Sequence, residues 1–158
     1  MRVYDTSKIG IFDDKITYNN RPIDVDTIRY AYISGYCSPT EYFDNLNCYT
    51  VMLRTRTGNF HLLDTTDKKE AKEVLNKIQK MVSGKKSVKR YNNSLVNLVH
   101  LAGIEVDSKK GHKVRLKMST GRILRVYKSA FELPAKVFAS KVNKDLDAFR
   151  KKDPARSM

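Results

Sequence analysis

The chain has 158 residues, 41% of them hydrophobic, which supplies enough apolar material for a folded core and excludes wholesale disorder. Its formal net charge of +14 is lopsided: residues 1–83 carry 12 Lys and Arg against 11 Asp and Glu, whereas residues 84–158 carry 19 against 6. No apolar run is long enough to span a bilayer, the first fifteen residues lack a signal-peptide stretch, and Cys37 and Cys48 suit neither a disulfide scaffold nor a metal knuckle, so a soluble, intracellular protein with reduced thiols is expected.

From Val3 to about Leu63 the chain reads as β. Apolar runs at 9–12, 15–18, 23–33, 48–56 and 59–63 are separated by the turn signals Asp13-Asp14, Asn19-Asn20 with Pro22, Gly35 with Pro39, and Thr57-Gly58. Within 23–33, strand alternation puts Tyr30 and Tyr32 on one face and Arg29 and Ala31 on the other. The aromatic-rich stretch Tyr30, Tyr32, Tyr36, Tyr42, Phe43 and Tyr49 reads mostly as β core and a loop over it. Residues 67–82 follow as a helix, because Ala71, Val74, Leu75, Ile78 and Val82 fall on one face; Asp67 with Glu70 forms a capping box, and Gly84 marks the stop.

The stretch 84–93 is polar, basic and aperiodic, and reads as a linker. Ser94 then caps a short helix over 95–102, closed by Gly103. Strands are expected at 104–106, 112–118 and 122–128, with a turn at Ser119-Thr120-Gly121. A final helix runs from Ser129 or Pro134 to Arg150, with Ala135, Phe138, Val142 and Phe149 on its apolar face. The expected fold class is α+β in two small lobes: residues 1–83, near-neutral and β-rich with a closing helix, and residues 94–158, basic, with a hairpin and helices.

An internal echo links the halves. Val51-x-Leu53-x-x-x-Thr57-Gly58 recurs as Val114-x-Leu116-x-x-x-Thr120-Gly121, and Ala71-Lys72 with Lys77-Ile78 recurs as Ala135-Lys136 with Lys141-Val142. Any hairpin followed by a helix can produce such a pattern, so chance and true repetition both stand. The order of strands and helix over 9–82 resembles a pleckstrin-homology-like half-barrel, and 111–128 resembles an SH3-like or KOW-type hairpin. Both resemblances concern fold alone and transfer no site residue. Small size, strong basicity and abundant Lys and Asn also resemble phage early proteins in style.

Lys113, Arg115 and Lys117 alternate with Val114, Leu116 and Met118, so three cations share one strand face; Arg122, Arg125, Tyr127 and Lys128 follow on the return strand. Several like charges on one hairpin face oppose folding, which points to a polyanionic partner. Lys109 and Lys110 lead into that strand, and Lys85, Lys86, Lys89 and Arg90 form a second cluster in the expected linker. Such cations, with tyrosines interleaved, suit a sugar-phosphate backbone.

Catalytic signatures are absent from the pattern. His61, His100 and His112 show no ligand spacing, and His61 and His100 read as structural. The pairs Asp13-Asp14, Asp24 with Asp26, and Glu41 with Asp44 fall mostly at turns. No cofactor or metal is expected. The sequence therefore predicts a non-enzymatic nucleic-acid-binding protein, double-stranded DNA ahead of RNA, contacting the backbone with low sequence specificity in transcription modulation or nucleoid organisation. The N-terminal lobe is left free for a protein partner or self-association, and no membrane is involved. The alternatives are a module docking on an acidic protein or anionic membrane, and a nuclease or RNA-processing enzyme.

Overall fold

The computed structural model describes residues 3–4, 8–38, 46–106, 113–127 and 134–152; within these, the side chains of 3, 4, 35–38, 46–48, 113, 125–127 and 152 are left aside. The fold is mixed α+β with two helices and three sheets among the described residues, and no closed barrel. The SH3-like hairpin suggested by resemblance is thus part of an open three-stranded sheet.

The strands are β1 (Val3–Tyr4), β2 (Ile9–Ile11), β3 (Ile16–Tyr18), β4 (Arg21–Pro22), β5 (Ile28–Ser38), β6 (Leu46–Thr55), β7 (Asn59–Thr65), β8 (Val88–Tyr91), β9 (Ser94–Asn97), β10 (Leu101–Val106), β11 (Lys113–Met118) and β12 (Ile123–Tyr127). The helices are α1 (Lys68–Met81) and α2 (Ala135–Lys152). Strands in the order β1-β7-β6-β5-β9-β8 make one sheet, and β10-β11-β12 and β2-β3-β4 make two smaller ones. Only β1 on β7 is parallel among the described pairings.

Local chemistry explains most of these elements. Asn19 and Asn20, with φ of 55° and 66°, turn β3 into β4 between the paired residues Tyr18 and Arg21, as a tight hairpin with left-handed central residues requires. The α1 face foreseen from spacing is the face that packs, with Ala71, Val74, Leu75 and Ile78 buried. Its cap differs from a simple box: Asp67 Oδ1 accepts from the Lys69 amide at 3.0 Å, while Thr65 Oγ1 accepts from the Asp67 amide and donates to Glu70 Oε2. Glu70 thus meets Thr65, where the sequence pointed it at the Asp67 backbone.

Residues 84–106 depart most from expectation. The stretch 84–93, expected as a linker, contains β8, and the expected helix at 95–102 is replaced by β9, a short 3-10 turn over Leu98–His100 and the start of β10. The physical reason is tertiary. All four residues of β9 are buried, Leu95 in the α1 core and Val96 in the α2 core, so the strand has an apolar neighbour on both faces. Its polar members are satisfied: Ser94 Oγ meets Tyr30 Oη at 3.1 Å, and Asn97 Nδ2 donates to the Ile28 carbonyl at 2.9 Å. A run of Ser-Leu-Val-Asn has no such partners when read locally.

Two cores result. One lies between α1, the β2–β4 sheet and one face of the large sheet, and includes Ile16, Ile33, Leu53, Leu75 and Ile78. The other lies between α2, the β10–β12 sheet and the opposite face at β5, β8 and β9, and includes Tyr30, Tyr91, Leu116 and Phe138. The echoed positions play equivalent parts, since Val51, Leu53 and Ala71 are buried in the first core as Val114, Leu116 and Ala135 are in the second.

Candidate nucleic-acid interface

Alternation along β11 buries Val114, Leu116 and Met118 and leaves Arg115 half-buried and Lys117 exposed on the other face. In register, Arg115 lies between Glu105 of β10 and Arg125 of β12, and Lys117 lies between Gly103 and Ile123. The Glu105 carboxylate takes both cations, Arg115 Nη2 at 2.9 Å and Lys117 Nζ at 3.1 Å. The hairpin face therefore carries its own counter-charge, which relieves the cross-strand repulsion anticipated from the sequence. Spacing along the chain does not reveal this, because Glu105 joins the face only through the pairing of β10 with β11. Lys113 stands opposite Tyr127 as a register position. Lys109, Lys110 and Lys128 lie outside the described residues.

The second cluster divides. Lys85 and Lys86 line an open cleft of about 780 Å³ with Asp26, Asn97 and His100, and Lys89 is exposed. Arg90 is engaged elsewhere: Nη1 donates to Asn76 Oδ1 and Gln79 Oε1 on α1, and Nε donates to the Asn92 carbonyl. It therefore holds the β8–β9 turn, where Asn92 adopts a left-handed φ of 52°, against the helix. His100, expected as a structural residue on a helix, sits instead at the rim of this cleft. Burial, and then the charges of Arg29 and Lys85, hold its pKa below the usual imidazole value.

A third cationic site takes only Arg122 from the candidates that the sequence singled out, and draws it away from the hairpin face. Arg29 from β5, Arg56 from the β6–β7 turn and Arg122 from the β11–β12 turn line a cleft of about 390 Å³ with Thr57, Asn59 and Thr120. A β-bulge places Arg29 there. Ile28 pairs with Thr55 and Tyr30 with Arg54, so Arg29 is the extra residue. Without the bulge, Arg29 would share a face with Ala31 and Ile33, which are buried in the α1 core; with it, Ile28 takes that face and the expected pairing of Arg29 with Ala31 is overturned. The detectable signal was the echo itself, because its two Thr-Gly turns meet at this cleft.

The site is contiguous with the preceding one. The Ser119 amide donates to the His100 carbonyl at 2.9 Å, tying the β11–β12 turn to the rim that carries Lys85 and Lys86. Among the described residues, no three His, Cys, Asp or Glu side chains gather as metal ligands would. No described helix is long and apolar enough to cross a membrane.

No family model and no curated protein matches this chain. Among solved structures, the chain is similar to the LytTr DNA-binding domain of a protein described as a methyl-accepting/DNA response regulator from Bacillus cereus. The identity is 14% and the TM-score 0.38, covering 87% of this chain and 93% of that one. A likeness of that extent carries no argument about function.

Proposed function

We propose that the protein binds nucleic acid through its phosphate backbone, double-stranded DNA ahead of RNA, with low sequence specificity, in transcription modulation or nucleoid organisation. The observation that supports this reading is the joining of cations from four chain segments, Arg29, Arg56, Lys85 with Lys86, and Arg122, around His100 and the β11–β12 turn. Cations brought together from distant segments favour a polyanion over a merely solvated surface. The preference for a duplex rests on the aromatic rings. Single-strand binders stack bases on exposed rings, yet among the aromatic residues whose side chains are described only Phe12 is exposed, while Tyr30, Phe60, Tyr91 and Phe138 are buried.

The reading is non-enzymatic, and it leaves the N-terminal sheets available to a protein partner. Mobility-shift titrations with duplex DNA, single-stranded DNA and RNA across a salt series test it. Engagement of about six phosphates lowers affinity on the order of a thousandfold between roughly 50 and 200 mM salt. Absence of binding to every polynucleotide at low salt overturns the reading, and cleavage with Mg²⁺ replaces it with a nuclease.

A further inference from the structure

We infer that the cleft between Arg29, Arg56 and Arg122 is a phosphate-binding site that anchors one backbone phosphate of the bound nucleic acid. The inference deepens the function proposed above and rests on it for the identity of the ligand. The cleft has no acid of its own among the described residues: no Asp or Glu lines it. Among the described residues, none of the three guanidinium groups has an ion pair or a side-chain hydrogen bond, in contrast to Arg115 and Lys117 beside Glu105. Arg29 Nε is buried and lacks a hydrogen-bond partner. Arg115 Nε is likewise buried without a partner, so what sets this cleft apart is the gathering of three guanidinium groups with no acid among its described lining residues, which calls for an anionic acceptor.

The frame around the cleft is pre-set. The Arg56 amide donates to the Thr27 carbonyl at 3.2 Å, and the turn that carries Arg56 is closed by the Thr55 amide on the Gly58 carbonyl at 2.9 Å. The opposing turn is closed by the Met118 amide on the Arg122 carbonyl at 2.8 Å and by the Gly121 amide on the Met118 carbonyl at 2.9 Å. Gly121 adopts a φ of +92°, which suits glycine. Both arginines are thus held at the ends of short, internally bonded turns.

The chemistry favours phosphate. Guanidinium forks match a tetrahedral oxyanion bidentately, which lysine does not. Thr120 adds a hydroxyl donor at the edge, and the cleft volume falls in the range of about 300–1,000 Å³ typical of small-ligand sites, leaving room for a sugar beside the phosphate. The turn that carries Arg122 is also tied, through the Ser119 amide on the His100 carbonyl, to the rim that carries Lys85 and Lys86.

The test uses the full chain and two probes, pyrophosphate and duplex DNA. The double variant Arg56→Gln/Arg122→Gln is compared with Lys141→Gln/Lys144→Gln, which removes the same charge from exposed positions on α2. In the wild type, pyrophosphate shifts the side-chain NMR signals of Arg29, Arg56 and Arg122, and the arginine double variant loses the response at Arg29. For duplex binding, that variant lowers the slope of log affinity against log salt by about 1 unit, the share of the one phosphate held in the cleft, and the lysine pair lowers it by less. Arg56→Lys/Arg122→Lys keeps the charge, loses the fork, and still loses affinity.

Thermal melts report that each variant folds, and single substitutions replace a double variant that does not. Equal effects of the arginine and lysine pairs on duplex binding, or no pyrophosphate response at the three arginines, overturn the site while leaving nucleic-acid binding intact. A pyrophosphate response without binding to any polynucleotide upholds the site and removes the nucleic-acid reading.

Discussion

Tyr91 Oη donates a 2.7 Å hydrogen bond to Asp145 Oδ2, joining β8 to α2. The same tyrosine ring meets Phe138 edge-on, with centroids 5.6 Å apart. The segment that sequence suggests as a tether between lobes is thereby part of the seam between β8 and the C-terminal helix. Removing the hydroxyl in Tyr91→Phe is expected to destabilise the fold by about 1.5 kcal/mol, the ordinary worth of a hydrogen bond to a charged group. Urea unfolding of the two proteins checks it, and equal stabilities would show that the bond contributes nothing.

Tyr91 and Tyr30 also set an alkaline limit. Burial, helped at Tyr91 by the Asp145 bond and charge, pushes both hydroxyls far above the usual tyrosine value. A folded-state pKa raised above the unfolded value of about 10 gives stability that is complete below that pH and is lost as pH climbs beyond it. The stability gap between wild type and Tyr91→Phe is therefore expected to stay constant from neutrality to about pH 10 and to narrow above it.

Phe138 is fully buried at the centre of the α2 core. Phe138→Ala is expected to cost about 3–5 kcal/mol, through lost burial and the cavity left behind. Calorimetry settles the point; a melting temperature within a degree of wild type would show that α2 contributes little to the core.

His100 reports on the cationic rim. Its pKa is lowered first by burial and then by Arg29 and Lys85, so its contribution to stability is present above the unfolded imidazole value and is lost as pH falls through the depressed folded value. Arg29→Gln is expected to return part of the shift, leaving the share due to burial. Ring-proton NMR titration measures this, and an unchanged midpoint would separate Arg29 from His100.

Glu105 offers a gain of function. Its ion pairs with Arg115 and Lys117 are partly exposed, so Glu105→Gln is expected to cost no more than about 1 kcal/mol of stability. If the β11 face meets phosphates, freeing two cations raises duplex affinity and steepens the salt dependence by about 1 unit. Unaltered affinity would confine binding to the arginine cleft and its neighbours.

The sequence by itself determined those features whose cause is local. The 3.6-residue spacing and Asp67 cap of α1, the alternation of β11, the Asn19-Asn20 turn and the two Thr-Gly turns follow from neighbouring residues, and so does the concentration of positive charge after residue 83. Tertiary structure decided the rest. Ser94 to Asn97 becomes a strand only because Tyr30, Ile28 and two apolar cores wait on either side of it. Glu105 reaches Arg115 and Lys117, and Arg29 reaches the cleft with Arg56 and Arg122, through strand register, a bulge and turns more than sixty residues apart. Charge can be counted along a chain, but whether a cation is paired or left open depends on which distant strand lies beside it.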